Sequence, residues 1–213
     1  MPVWQALYEE LGSDVFVPIT VALDRGQDAR PFIEAAGATH PSLIDESHRT
    51  AELYHIVNVP TLIWIDESGM ICRPHDSQYA TDTFTAFHKK LSAPYLDMIR
   101  DWVHTDAGVM TPDEVRTHQP IPDDAAQLAR VERAIAWHLL DDDRAEAAER
   151  HFDRAAALAP KDWTIQRGSM PLRGGNPFGP EFFALAEKGK PDYSLEAITP
   201  THVPETETTP ESE

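Results

Sequence analysis

Residues 57–72, VNVPTLIWIDESGMIC, constrain the fold more than any other stretch of this chain. TLIWI at 61–65 is a continuous apolar run of strand length, expected to be buried on both faces. Glu67-Ser68-Gly69 reads as a short turn in which Gly69 can take positive φ, and Met70 to Arg73 is expected to return antiparallel. Pro60 suits the first residue of a strand, where a missing amide donor is tolerated. The segment ends on Cys72, the single cysteine among 213 residues. One thiol excludes an internal disulfide, a CxxC pair and a cysteine-rich metal framework. A reactive thiol needs exposure and a nearby cation or helix N-terminus. Cys72, on a return strand beside Arg73 and near His75, is expected to be partly buried and inert.

Elements of alternating type flank this hairpin. Trp4, Leu7 and Leu11 share a helical face over residues 1–11, with Gly12 as a C-terminal cap. VFVPITVAL at 15–23 is rich in β-branched residues and reads as a strand. Pro18 belongs at a bulge or on an unpaired side of it. Asp28 is a candidate N-cap for a helix bearing Phe32, Ile33 and Ala36 and ending at Gly37. PSLID is extended. Ser47 is a candidate cap for a helix whose inward side carries Ala51, Leu53, Tyr54 and Ile56. A helix over about 81–91, with Phe84, Phe87 and Leu91 on one face, is expected to continue past Pro94 through Leu96, Ile99 and Val103.

This order resembles the thioredoxin-like redoxins of the ResA/TlpA (AhpC/TSA-like) group, with NVPTLIWIDESG carrying the likeness over about residues 1–91. On local sequence alone Pro60 reads as an ordinary trans proline. The resemblance implies a cis Val59–Pro60 bond, a commitment nearly confined to proline. It also implies a substrate-facing loop at Val59 and Pro60, with Thr61 opening the strand. The departure is large. In that family the redox pair opens the first helix, a few residues before a step that Met1-Pro2-Val3-Trp4 resembles, and a central strand precedes it. That strand would lie between 15–23 and 61–65. The expected fold is therefore α/β, thioredoxin-like, without its first, central strand and CxxC turn, unless the two flanking strands pair directly. The expected cause is a truncated start. Some similar redoxins carry selenocysteine, encoded by a codon usually read as stop, and a start assigned to the next methionine would then fall at Met1. A differently misplaced start, or true loss of the site, would leave the same chain.

Residues 104–122 are polar, contain Pro112, Pro120 and Pro122, and read as a linker. Two helices are expected next, over about 124–140 with a stripe of Leu128, Val131, Ile135 and Leu139, and over about 144–159, closed by Pro160. Ala148, Phe152, Ala155 and Pro160 resemble the signature of one tetratricopeptide unit, with Ile135, Ala136 and Leu139 at the matching positions of the first helix. A single unit cannot bury its faces alone. RGSMPLRGGNPFG at 167–179 is a loop. Arg167 and Arg173 could hold an anion there, but the preferred reading is a wrapping segment anchored by Phe178, Phe182 and Phe183. EFFALAEKG forms a last short helix.

These features divide the chain into a redoxin-like domain at 1–103, a linker at 104–122, a helical hairpin with its wrapping loop at 123–188, and an acidic, disordered tail at 189–213. A net charge of -18 argues against nucleic acid and anionic membranes as partners. No run approaches the roughly 20 apolar residues of a membrane span. No basic-then-apolar leader opens the chain, and cytoplasm is the default expectation. His48 and His55 lie seven apart, too far for a shared metal ion without a third element. No cofactor or metal is expected.

The family resemblance implies a thiol- or selenol-dependent oxidoreductase acting on a protein disulfide or a peroxide, with neither redox group in this chain, which is expected to be inactive as written. The alternative is a non-catalytic binding module that engages a protein through residues 123–188.

Overall fold

The computed structural model describes residues 2–24, 26, 28–76, 81–82, 91–119 and 121–188. It is a mixed α/β chain. α1 (Pro2–Leu11), β1 (Thr20–Ala22), α2 (Arg30–Ala35), β2 (Ser42–Ile44), α3 (Arg49–Leu53), β3 (Leu62–Ile65) and β4 (Ile71–Asp76) come first. Then follow α4 (Ala93–Thr105), α5 (Pro112–His118), α6 (Asp124–Asp141), α7 (Ala145–Leu158), α8 (Trp163–Gln166), a 3-10 turn at Pro171–Arg173 and α9 (Pro180–Lys188). The helix expected over about 81–91 falls mostly on residues 83–90, and the acidic tail on 189–213. Both lie outside the described residues.

The strands form two separate two-stranded sheets. β1 runs parallel to β2, with Val21 opposite Leu43. β3 pairs antiparallel with β4. Among the described residues no ladder joins β1 to β3. The strand expected over 15–23 is regular only at Thr20–Ala22, and Val15, Val17 and Ile19 before it are exposed.

The hairpin follows from its residues. The Asp66 carboxylate accepts hydrogen bonds from the Ser68 and Met70 amides, each at 2.9 Å, and from Ser68 Oγ at 2.6 Å. Gly69 takes φ 82°, so the turn is closed by a side chain and a glycine together. β4 is irregular. Trp64 faces Arg73 while Ile65 faces Ile71, which leaves Cys72 as the extra residue of a bulge. A second register shift falls where Pro74 lacks an amide donor and His75 takes φ 41°. The two-faced burial expected for β3 is not seen. Trp64 is buried, but Ile65 on the opposite face is exposed, because β3 is a hairpin strand here rather than the middle of a wide sheet.

Trp64, Cys72, Leu7, Met98 and Ile99 form the core of this half. Trp64 stacks on Trp102 at 4.6 Å, and the Arg73 guanidinium lies 5.2 Å from the Trp64 ring centre. α1 is pinned from both ends. Gln5 accepts from the Thr39 amide at 2.8 Å, and Glu10 pairs through both oxygens with Arg100 at 2.6 and 2.7 Å.

Three local expectations are corrected. The Asp45 carboxylate, not Ser47, caps α3, accepting from the Arg49 and Thr50 amides, and Leu53 points outward. Asp28 gives α2 no side-chain cap; the N-cap residue is Ala29. The stretch read as a linker contains α5, which starts in a capping box. Thr111 Oγ1 accepts from the Glu114 amide, and the Glu114 carboxylate accepts from the Thr111 amide. Pro112 sits at the first helical position, where it favours the helix rather than breaking it. α5 packs on β4 and buries Val115.

α6 and α7 pack as an antiparallel hairpin through small residues. Ala136, Ala148 and Ala155 are fully buried, and Phe152 fills the space between the helices. Periodicity places Leu128, Val131, Ile135 and Leu139 on the inward face of α6. Only Leu139 is buried. The inward face is Ala129, Glu132, Arg133 and Ala136, because close helix approach favours alanine and brings two charged side chains in with it.

Candidate functional site

The Val59–Thr61 loop is held from behind by the helical hairpin. Asp162 caps α8 by accepting from the Thr164 amide at 2.9 Å and Thr164 Oγ1 at 2.5 Å. Its second carboxylate oxygen accepts from Arg130 at 3.1 Å. Arg130 also donates to the Ile56 carbonyl at 2.9 Å. One residue on, the Val57 carbonyl accepts from the Trp163 amide at 2.8 Å. Two consecutive carbonyls of the approach to Pro60 thus end on the hairpin. Thr61 Oγ1 donates to the Asn58 carbonyl at 2.8 Å and closes the loop on itself.

The Val59–Pro60 peptide bond is cis. Val59 and Pro60 are exposed. Among the described residues the Val59 amide and carbonyl make no backbone hydrogen bond. The three residues singled out in the sequence are therefore together at one exposed turn, with a firm support and an open front. Sequence reasoning misses the support. Its signal is readable in part, since Asp162 stands before the short run WTIQ as an N-cap, but nothing local links Arg130 to Ile56.

Cys72 is buried against Trp64 and Met98. Burial pushes its thiol up to about 11, and the Asp66 and Glu67 carboxylates act in the same direction. At neutral pH it is a protonated core side chain, without the thiolate that nucleophilic chemistry requires. His75 is buried on the same strand and its pKa is lowered by burial. His55 is also shifted down, by burial and by Arg130. Among the described residues no group of three or more His, Cys, Asp or Glu is placed to hold a metal ion.

The 167–179 loop has its cations engaged. Arg173 donates to Glu149 through Nε and Nη2, one edge of its guanidinium, and through Nη2 to Asp153 at 2.8 Å. Arg167 donates to the Pro177 carbonyl at 3.0 Å and lies over the Phe178 and Phe182 rings at 4.5 and 4.7 Å. Of the three expected anchors only Phe182 is buried, in edge contact with Trp163; Phe178 and Phe183 are exposed. Arginine stacking, more than phenylalanine burial, holds this segment down.

Among the described residues no helix is long and apolar enough to cross a membrane. Comparison with known protein families, with curated proteins and with solved structures finds no match for this chain.

Proposed function

We propose that residues 1–103 are the part of a thioredoxin-like redoxin that follows its redox turn, and that the complete unit is a thiol- or selenol-dependent oxidoreductase of protein disulfides or peroxides. The observation that carries this reading is the split sheet. Among the described residues β1 and β3 have no ladder between them, and the order of elements on either side supports the reading of a redoxin whose middle strand is supplied from elsewhere. Unpaired backbone along a strand edge is costly unless a further strand satisfies it. The exposed Val59 backbone before Pro60 supports the same reading, since an extended substrate could pair with it. Residues 1–213 themselves hold no group able to attack a disulfide, because Cys72 is buried and protonated.

The test is reconstruction. The 213-residue chain is expected to show no thiol-dependent reduction of insulin. The same chain with a strand and CxxC turn fused before Met1 is expected to gain that activity and to unfold at higher denaturant. A fusion that neither reacts nor gains stability would overturn the reading. So would turnover by the unfused chain that is lost in Cys72→Ser. Translating the reading frame upstream of Met1 through any stop gives an independent check, with a strand and a cysteine- or selenocysteine-bearing turn expected.

A second reading is favoured by one observation. Leu128, Val131 and Ile135 form an exposed apolar stripe on α6, in a hairpin that resembles a single tetratricopeptide unit. A protein-binding module would use that stripe. Fusion without gain of activity, together with loss of a partner on Val131→Asp, would move the balance to it.

A further inference from the structure

Where α6 meets the start of α3 there is a cleft of about 330 Å³, within the range of small-molecule sites. Its floor holds two arginines one helical turn apart. Arg130 is spoken for by Asp162 and the Ile56 carbonyl. Asp162 is in turn consumed by Arg130 and the α8 cap. Arg133 is 7% exposed and, among the described residues, has no carboxylate within ion-pair distance. Its Nε is buried without a hydrogen-bond partner.

What Arg133 does touch is a poor substitute. Its guanidinium lies 4.8 Å from the Trp137 ring centre, and Nη2 is 3.2 Å from His48 Nε2. That same nitrogen is 3.2 Å from the Leu23 carbonyl. An imidazole nitrogen can donate to the carbonyl or accept from the arginine, not both. One of the two contacts is therefore always unmade. Burial pulls Arg133 down to about 10, against the opposing pull of the Asp162 and Glu52 carboxylates, and burial with the Arg133 charge pulls His48 down to about 4. A buried guanidinium without a direct carboxylate contact is destabilising, and a bidentate oxyanion is the partner its geometry suits.

We propose that this cleft binds the carboxylate or phosphate group of a small molecule, with Arg133 as its main ligand and Ala134, Trp137 and Ile165 lining the remainder. Glu46, Glu52 and Asp141 also line the cleft. They disfavour a ligand that is anionic throughout and favour one whose other end is neutral or cationic. The protein's net charge of -18 makes such binding a property of this cleft rather than of the surface field.

The experiment is thermal unfolding of the full chain as inorganic phosphate, or separately acetate, replaces chloride at constant ionic strength. The wild type is expected to gain Tm with the logarithm of anion concentration above Kd, by about 2–4 °C at roughly five times Kd. Arg133→Met is expected to unfold in chloride at or above the wild-type temperature and to give no anion response. Arg116→Met, which removes an exposed arginine, is expected to respond like the wild type. The indole N–H resonance of Trp137, assigned through Trp137→Phe, is expected to shift with phosphate in the wild type only. A response to phosphate but not acetate assigns the site to phosphate, and the converse to carboxylates. No response beyond chloride in either assay overturns the proposal, as does an equal response in Arg133→Met or a loss of response in Arg116→Met.

Discussion

Set α6 and α7 beside the four strands. In the hairpin, Ala129, Ala136, Ala148 and Ala155 have no exposed surface, and Phe152 has 1%. In the strand-bearing half, Val15, Val17, Ile19 and Leu43 remain outside the core, and among the described residues each strand has one ladder partner. The hairpin closes on residues near in sequence. Among the described residues the strands form no ladder beyond these pairs. Local elements complete themselves, whereas strands depend on neighbours that can be far away or on another segment.

The contrast can be broken most sharply at Phe152. Phe152→Ala is expected to cost about 3–5 kcal/mol in urea unfolding, since it opens a cavity between helices that have little room to collapse. A loss below about 1 kcal/mol would mean the hairpin is not the tight half. Asp162→Ala removes both the α8 cap and the partner of the partly buried Arg130, and is expected to cost about 3 kcal/mol. Faster hydrogen exchange at the Trp163 amide should accompany it, because the support of the Val57 carbonyl is lost with the cap.

Acid gives a smaller effect. His48 is 8% exposed, and its folded pKa of about 4 lies below the unfolded value of 6.5. The folded state therefore excludes a proton that the unfolded state takes up. This contribution is fully present above pH 6.5 and is lost as pH falls toward 4. Between pH 6.5 and about pH 5 it should remove roughly 2 kcal/mol. His48→Gln is expected to flatten that slope in denaturation measured across the interval, and an unchanged slope would assign it to other groups. The smallest expected effect is Val17→Ser, within about 0.5 kcal/mol in the chain of residues 1–213. The same substitution in a chain with a fused first strand should cost more than about 1 kcal/mol. Equal costs in the two backgrounds would argue that no strand docks beside it.

Elements are more legible in this sequence than faces. The hairpin helices can be bounded to within a residue or two, because helical periodicity and the Asp141-Asp142-Asp143 turn are local signals. Their orientation cannot, because periodicity turns the largest apolar residues, Leu128, Val131 and Ile135, inward, while tight packing selects Ala129 and Ala136. Prolines at 112, 120 and 122 suggest a linker, and the capping box Thr111–Glu114, equally present in the sequence, is the stronger signal. The turn at Val59-Pro60-Thr61 is legible as a unit. Its support is not, nor is the pairing of His48 with Arg133, because 85 residues separate them and no spacing rule reaches that far.

The two carbonyls at Ile56 and Val57 connect these halves mechanically. Each is gripped from the hairpin side, by Arg130 and by the Trp163 amide. The turn at Pro60 is therefore held by a helical unit on its approach as well as by the strand it precedes. Any rotation of that unit carries the turn with it, as a crank carries its pin, and whatever binds along α6 acts on the far end of the same lever.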